Sequence, residues 1–542
     1  MTRAARNIGS LLVLVVASWG LVPAGADTGG KLAPSRSARQ RVEIPDAARM
    51  RTHRTMWSPA VGSVAAGDGE QTAAATNEGG FLGLSGDGQI APADTTGAGG
   101  ATHVMTAVNV SYAVYPRSTL TDPPAVVPPL VSGSLESLFP GLPAGAFVFD
   151  PKVVYDHYTG RFILAFLSGH GRPFTPGTES SRLLIASIPD ATASDPSTWC
   201  LRDLNADQMR GDGKQFGDYP GLGFDRNFVY VTTNQFDFGR TEQFRYSQIM
   251  AIGKTRLNTC VGKLKLHSFG RGETSDPSGA PAFTIQPAVT ESELGLGDVE
   301  YLASFQESSC GFLCGRRLTI WRVKKGGRGV DLATDEVNVP AGRMAPLGTQ
   351  RDGSPMCNPI EHCWDAGDLR LVTAFYDADR DRLYTAHAVR ADIAPGDGYI
   401  EAAIRWYEID PSPIKRSHVT RTGIIGESGR DSGWPSVATD NGGNLFVNFN
   451  RAGAPVPGEY LSSAVATIPP GSTVPSATLI LVPGEALYVD EAGRPQRWGD
   501  YTAVNRDPLD PFDIWTVNQY ARNDGVPPST NLWQQVVNRV SF

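Results

Sequence analysis

A polar turn residue returns at near-equal spacing along this chain, each time between two short apolar runs. Asp156 separates the runs KVVY and RFILAF, and Asp440 separates SVAT from LFVNFN. The turn positions are Asp156, Asp225, Ser292, Asp377, Asp440 and Asp507. The successive gaps are 69, 67, 85, 63 and 67 residues. Such a period is typical of a fold built from equal units that share one continuous core.

Two further apolar runs follow within each repeat, as residues 183–188 and 201–204 do in the first full one. Four short runs per period, without helical periodicity, predict the four antiparallel strands of a β-propeller blade. Six full repeats are visible, and residues 104–115 begin a seventh. The sequence therefore predicts an all-β, seven-bladed β-propeller. Six or eight blades, or separate β-sandwiches, are the alternatives.

Closure of the ring is expected to involve both ends of the domain. Only two strands of the repeat at residues 104–115 are apparent in the sequence, so strands from the C-terminal end are expected to complete it. A blade shared in this way removes exposed sheet edges. We therefore expect residues 104–115 to share a sheet with C-terminal strands.

The N-terminal residues predict export. Arg3 and Arg6 precede an apolar run over residues 11–16, and Ala24-Gly25-Ala26 forms an A-x-A cleavage site, so residues 1–26 are interpreted as a signal peptide. The run is far shorter than the roughly 20 residues of a membrane-spanning helix. We expect a secreted protein, extracellular or periplasmic, with no membrane span in the mature chain.

Composition divides the remaining chain into two parts. Residues 27–91 are rich in Ala, Gly, Ser and Thr and show little apolar periodicity, which predicts a flexible low-complexity leader. Residues 92–542 carry the repeats and are predicted to form a single propeller domain.

Six cysteines fit an oxidising compartment. Cys200 and Cys260 occupy matching places in adjacent repeats, and each of the other pairs lies within one loop. The predicted disulfides are Cys200–Cys260, Cys310–Cys314 and Cys357–Cys363. A zinc site is the alternative, but the sequence lacks the CxxC pairs and the nearby paired histidines typical of one. No metal site is predicted here.

Four stretches carry a resemblance to known proteins. They are PADTTGAGGATHVMTAVN, DPKVVYDHYTGRF, GDLRL followed by LYTAHAV, and RWGDYTAV. Together they resemble secreted bacterial β-propeller proteins of the sialidase-like, Asp-box class, from about Asp94 to the C-terminus. The turn at Asp156, with Gly160 and Phe162, is a degenerate Asp box. The resemblance implies the propeller fold and no single activity, because propellers host many.

Ligand binding is expected where the first strand of each blade begins and the second strand returns. Residues at these two places share one rim around the central channel, and such concave mouths are common ligand sites. The predicted ligand-binding residues are Asp365, Arg370, His387, Trp434, Arg497 and Trp498.

Other polar residues on this rim recur from repeat to repeat, which favours a structural role in capping strands and joining blades. They are Asp150, Asp218, Asp368, Asp500, Asn234 and Asn518. We expect the Asp500 carboxylate to accept backbone N–H bonds where the last blade begins, as Asp218 does in its own blade.

The rim chemistry suits a carbohydrate, since amides and carboxylates bind hydroxyl groups and aromatic faces cover sugar C–H surfaces. The leading interpretation is an exported module that binds a glycan or an extracellular protein. The alternative is a glycan-active enzyme, a sialidase-like glycoside hydrolase or a polysaccharide lyase, with a carboxylate pair about 5 to 9.5 Å apart at the channel mouth. A purely structural surface protein is the third reading. No catalytic residue is assigned.

Nucleic acid is not an expected partner, because the net charge is −8 and no basic face stands out. No cofactor is expected. The run Asp377-Ala378-Asp379-Arg380-Asp381 has the aspartate spacing of a calcium loop, but Arg382 replaces its glycine and Ala388 its final glutamate. It is predicted to be a polar hairpin turn, with calcium binding as the alternative.

Overall fold

The computed structural model describes residues 75–86, 91–170, 180–206, 215–238, 243–306, 314–325, 329–351, 357–411, 416–455, 457–490, 493–523 and 532–542. The predicted signal peptide and most of the predicted leader lie outside these ranges.

Strands make up nearly all of the regular structure. In chain order they are β1 (Thr76–Ser85), β2 (Thr96–Gly99), β3 (His103–Val108), β4 (Ser111–Pro116), β5 (Ala125–Val126), β6 (Val131–Ser134), β7 (Phe147–Asp156), β8 (Arg161–His170), β9 (Ser180–Pro189), β10 (Cys200–Asn205), β11 (Gln215–Phe224), β12 (Phe228–Asp237), β13 (Phe244–Gly253), β14 (Leu266–Phe269), β15 (Gln286–Glu291), β16 (Val299–Gln306), β17 (Cys314–Lys325), β18 (Val330–Arg343), β19 (Gly348–Thr349), β20 (Cys363–Trp364), β21 (Thr373–Asp377), β22 (Arg382–Ala391), β23 (Glu401–Asp410), β24 (His418–Ile425), β25 (Asp431–Thr439), β26 (Leu445–Gly453), β27 (Glu459–Ile468), β28 (Leu479–Val482), β29 (Ala503–Arg506), β30 (Ile514–Ala521) and β31 (Trp533–Ser541).

Helical segments are short in the described part of the chain. One α-helix, α1, spans Lys254–Thr259. The 3₁₀ turns are Glu136–Leu138, Asp190–Thr192, Pro196–Thr198 and Ile360–His362.

The strands pair antiparallel in groups of four that follow the chain. The groups are β2-β3-β4-β6, β7-β8-β9-β10, β11-β12-β13-β14, β15-β16-β17-β18, β21-β22-β23-β24, β25-β26-β27-β28 and β29-β30-β31-β1. The first strand of each group contacts the first strand of the next, from β2 to β29, and β29 in turn contacts β2. The repeated turn residues lie where these first strands end.

The hydrophobic core lies between neighbouring strand groups. This position explains why the sequence of a strand such as β8 is apolar throughout. Ile163 and Leu167 belong to the cluster shared with β12. Leu164 and Phe166, which point the other way, belong to the cluster shared with β3 and β4. A strand covered on both faces reads as a continuous apolar run rather than an alternating one.

The expected pairing of residues 104–115 with the C-terminal strands is wrong. Those residues lie in β3 and β4, within a group that is already complete. The strand that joins the C-terminal end is β1, which pairs antiparallel with β31.

The predicted leader is therefore wrong for Thr76–Ser85. The glycines of this segment are typical of low-complexity sequence, yet they are needed for the close pairing of β1 with β31. A Cβ on Gly80 would lie 2.4 Å from the carbonyl oxygen of Val537. Phe81, between these glycines, is fully buried. Glycine content alone is a poor guide to disorder in such an edge strand.

Two predicted disulfides are confirmed. Cys200 and Cys260 are bonded, with their Cα atoms 5.3 Å apart, and Cys357 and Cys363 are bonded, with 5.5 Å between Cα atoms. Cys310 and the side chain of Cys314 lie outside the described residues, so that pairing remains a prediction.

Among the helices described, none has the length and apolar character needed to cross a bilayer.

Candidate functional site

The first strands of all groups begin at one face of the molecule, called here the mouth face, and end at the opposite turn face. At the mouth face several non-glycine residues adopt left-handed backbone conformations, among them Asp94, Asp150, Tyr219 and Trp434, with φ of 48°, 53°, 52° and 53°. This conformation costs an ordinary residue roughly 1–2 kcal/mol. Pairing with the second strand is interrupted at Asp150, Tyr219 and Trp434. Each bulge brings the start of one group against its neighbours.

Two buried aspartates join these strand starts. Asp94 accepts hydrogen bonds from the backbone N–H of Asp500 at 2.8 Å and from Nδ2 of Asn109 at 2.5 Å. Asp150 accepts one from the backbone N–H of Tyr219 at 3.2 Å, while its own N–H donates to Oδ1 of Asn109 at 2.8 Å. Asn109 therefore links the carboxylate of Asp94 to the backbone of Asp150.

The two carboxyl groups hold protons to a higher pH than an exposed aspartate. Burial raises the pKa of Asp94 well above its usual range, and the charges of Asp500 and Asp150 act in the same direction. Burial likewise raises the pKa of Asp150, aided by Asp218 and Asp500. Among the described residues, Oδ1 of Asp150 has no hydrogen-bond partner.

Lys152 is the most deeply buried cation of the cluster. Its Nζ lies 3.1 Å from the ring centroid of Tyr501 and 5.8 Å from that of Tyr219. Burial lowers its pKa to about 7, although Asp150 and Asp94 act in the opposite direction. The cluster thus holds a lysine that changes charge near neutral pH.

Two arginine–carboxylate pairs lie above these groups. Arg370 Nε is 2.8 Å from Asp368 Oδ2, and the guanidinium lies 4.3 Å from the ring centroid of Tyr219. Arg497 Nη2 donates to Asp500 Oδ1 at 2.6 Å. The ring of Tyr219 and the carboxylate of Asp368 hold the Arg370 guanidinium in place, and the carboxylate of Asp500 holds that of Arg497.

Exposure separates the accessible groups from the buried ones. The side chains of Arg497, Asp368 and Arg370 are 23%, 21% and 10% exposed. Asp94 and Asp150 are at most 1% exposed. Among the members of this cluster, the Arg370–Asp368 pair and Arg497 are therefore the most accessible, while Asp500 is only 7% exposed.

Three further predicted site residues are at the same face. Trp434 Nε1 donates to the carbonyl oxygen of Asp365 at 2.7 Å, and Asp365 Oδ1 accepts from the backbone N–H of Gly367 at 2.9 Å. Trp498 is fully buried against Tyr488, with ring centroids 4.8 Å apart. The two tryptophans support the mouth and do not line its surface.

His387 does not reach the mouth face. It is fully buried, with Nδ1 2.9 Å from the carbonyl oxygen of Leu369 and Nε2 3.0 Å from the hydroxyl of Tyr407. Its ring packs against Phe305 at 4.6 Å. With no exposed surface, His387 is a core residue and cannot contact a ligand at the mouth face in this conformation.

The amides predicted to be structural join neighbouring groups. Asn234 Oδ1 accepts from the backbone N–H of Thr284 at 2.9 Å, at the start of the next group. Asn518 Nδ2 donates to Oδ1 of Asn448 at 2.9 Å and to the carbonyl oxygen of Phe449 at 2.8 Å. Each satisfies buried groups that would otherwise lack partners.

Asp500 does not have the contacts expected of it, in which its carboxylate would accept backbone N–H bonds. Its carboxylate pairs with Arg497, and its backbone N–H is the group that is capped, by Asp94. Asp94, Asn109, Lys152 and Tyr501 were absent from the predicted site. One sequence feature did mark the bulged positions at the strand starts: Asp150, Tyr219 and Trp434 each directly precede a proline.

The run from Asp377 to Asp381 forms the hairpin turn between β21 and β22. Asp377 pairs with Arg380 at 2.9 Å, Asp379 accepts from the backbone N–H of Glu293, and Asp381 accepts from the hydroxyl of Tyr376. Within the described ranges, no three His, Cys, Asp or Glu side chains are grouped to hold a metal ion. Calcium binding remains an untested alternative.

Comparison with known proteins gives no family. No protein-family model matches the chain, and no curated protein matches it either.

Solved structures show only distant likenesses. An α-L-arabinofuranosidase from Fusarium graminearum is 9% identical, covering 86% of this chain and 98% of its own, with a TM-score of 0.34. An α-L-arabinanase from Penicillium chrysogenum is 8% identical, covering 85% and 98%, with a TM-score of 0.35. The sialidase of Trypanosoma rangeli is 11% identical, covering 72% and 54%, with a TM-score of 0.33. With TM-scores below 0.5, these likenesses assign no activity to this chain.

Proposed function

We propose that this chain is an exported, seven-bladed β-propeller whose mouth face binds a glycan. The seven antiparallel groups of four strands support the blade number, and the contact between β2 and β29 supports a closed ring. The paired cysteines and the signal-like N-terminus support export.

One observation carries the proposed binding site: the accessible groups of an otherwise buried cluster are the Arg370–Asp368 pair and the Arg497 guanidinium. Together they offer hydrogen-bond donors and an acceptor in fixed positions, as sugar hydroxyl groups require. Tyr219 and Trp434 are nearly inaccessible, so hydrogen bonding rather than ring stacking carries recognition in this proposal. The buried carboxyl groups have backbone and amide partners, which favours a binding module over an enzyme.

Glycoside hydrolysis is the second candidate, because of the contrast between Asp94 and Asp500. Asp94 has a raised pKa and suits a proton donor, while Asp500 is paired with Arg497 and suits a base or nucleophile. The burial of Asp94 counts against this candidate, since a general acid must reach the glycosidic oxygen.

A glycan array, with hydrolysis measured in parallel, distinguishes the two candidates. The protein from residue 27 onwards is applied to the array and incubated with the retained glycans. We expect retention of one glycan class and no release of reducing ends. Release that is abolished in Asp94→Asn, with retention preserved, would establish the hydrolase instead. Absence of both retention and release would refute the proposed function.

A further inference from the structure

A second candidate site lies on the turn face, away from the mouth. A groove of about 530 Å³ opens between the third and fourth strand groups. It is lined by Asn227, Phe228, Gly253, Lys254, Thr255, Arg256, Lys263, Lys265 and Lys325. Five of these nine residues are basic and none is acidic, although the chain as a whole carries a net charge of −8.

Lys254 forms the floor of the groove and is already neutralised. Its Nζ is 2.7 Å from Asp156 Oδ1 and 4.6 Å from the ring centroid of Phe224. The positive charge available to a ligand therefore comes from the other four basic residues.

None of those four residues has a carboxylate partner among the described residues, and Arg256 donates only to the carbonyl oxygen of Val261. Lys263, Lys265 and Lys325 are exposed, and no ion pair joins any of them to another described residue. Lys265 lies over the ring of Phe228 at 5.5 Å. Besides Asp156, two acidic side chains contact residues that line the groove. The buried Asp225 accepts from the backbone N–H groups of Asn227 and Phe228 at 2.6 and 2.7 Å, and Asp298 accepts from Asn227 Nδ2 at 3.1 Å. The unpaired ammonium groups give the groove a concentrated positive field.

The segment that carries Lys263 and Lys265 is fixed in place. The Cys200–Cys260 disulfide ties it to the preceding group, directly after α1. Asn258 accepts from the hydroxyl of Ser187 at 2.7 Å, and Gly253 N–H donates to the carbonyl oxygen of Lys265 at 2.8 Å. A preformed site loses little conformational entropy when it binds a ligand.

We infer that this groove binds an acidic oligosaccharide, carrying carboxylate or sulfate groups. The cations come from three separate elements, α1, the segment after Cys260 and the end of β17, so they match several spaced negative charges better than one. The volume suits a few sugar residues. A long nucleic acid would extend beyond the groove over an acidic molecule, which opposes it electrostatically.

This site is independent of the mouth face, and its test uses defined probes. Titration calorimetry at low salt measures binding of a heparin-derived sulfated hexasaccharide, a galacturonate hexasaccharide, a neutral cello-oligosaccharide and a short single-stranded DNA. The proteins compared are the wild type, the triple variant Lys263→Ala/Lys265→Ala/Lys325→Ala and the control Lys324→Ala. Lys324 is exposed and adjacent in β17 but does not line the groove. Melting curves confirm that each variant is folded.

We expect at least one acidic hexasaccharide to bind in a salt-sensitive way, with affinity reduced by about tenfold or more in the triple variant and by less than about twofold in Lys324→Ala. The neutral oligosaccharide should not bind. Equal binding by the wild type and the triple variant, or no binding of either acidic probe, would overturn the assignment. Tighter, lysine-dependent binding of the DNA would also overturn it, in favour of a nucleic-acid ligand.

Discussion

The carboxylate of Asp94 accepts a hydrogen bond from the backbone N–H of Asp500 across 2.8 Å, although 406 residues separate them along the chain. Asp94 lies just before the first strand of the first group, and Asp500 just before that of the last. The bond therefore joins the two ends of the strand series at the face where we place the glycan.

Asp94→Ala should lower the free energy of unfolding by about 2–6 kcal/mol. It leaves two buried donors, the Asp500 N–H and Asn109 Nδ2, without their acceptor, at about 1–3 kcal/mol each. Asp94→Asn keeps one acceptor oxygen and should cost less. Urea unfolding of both variants tests this, and an Asp94→Ala variant as stable as the wild type would contradict the assigned role.

Removal of β1 should destabilise the whole domain. A chain that begins at residue 75 keeps Phe81 in the core and keeps the pairing of β1 with β31, whereas a chain that begins at residue 91 loses both. The loss of Phe81 alone is expected to cost about 3–5 kcal/mol, and the exposed edge of β31 favours aggregation. Melting temperature and size-exclusion chromatography compare the two. Identical behaviour would show that β1 is dispensable.

His387 should make stability fall as the pH falls. Burial lowers its pKa to about 3, whereas an unfolded histidine titrates near 6.5. Below about pH 6.5 the unfolded chain therefore binds a proton that the native state excludes, and stability is lost by up to about 1.4 kcal/mol per pH unit on the way to pH 3.

Substitution of His387 by Gln should make this loss shallower, as urea unfolding at about pH 7, 6 and 5 would show. The exposed His418, replaced in the same way, serves as the control. An unchanged slope in His387→Gln would mean that other groups dominate the acid sensitivity.

Peptide mapping without reduction should recover three disulfides: Cys200–Cys260, Cys357–Cys363 and the untested Cys310–Cys314. The first joins two strand groups across a separation of 60 residues, so Cys200→Ser/Cys260→Ser should cost about 2–4 kcal/mol. A free thiol at any of the six positions in exported protein would contradict the scheme.

The strand pattern was predictable because each repeat contains all four apolar runs within its own stretch of sequence. The four runs of a repeat coincide with four paired strands, as β7 to β10 illustrate. Ring closure was not predictable in the same way. The glycines of Thr76–Ser85 are required because β1 pairs closely with β31. That partner strand is far away in the sequence, so no local pattern indicates the pairing.

The candidate site was only partly predictable for a related reason. Arg370, Arg497 and Asp365 could be predicted because they lie just before the first strands of their groups in sequence. Asp94 and Lys152 take their importance from residues of other groups, Asp500 and Tyr501, which no local motif reveals. His387 had the right position along its strand, but its burial depends on Phe305 and Tyr407 from other strands.

The most direct test of the central proposal is calorimetric titration of the glycan retained on the array against Arg370→Met and Arg497→Met. Each change removes guanidinium donors at the mouth while keeping an apolar side chain. Arg226→Met, on the turn face, is the matched control, since Arg226 is exposed and donates to the Gly295 carbonyl oxygen. We expect both mouth variants to stay folded and to bind about tenfold or more weakly, because each loses charged hydrogen bonds, and Arg226→Met to bind like the wild type. Unchanged affinity in both mouth variants would contradict the proposal.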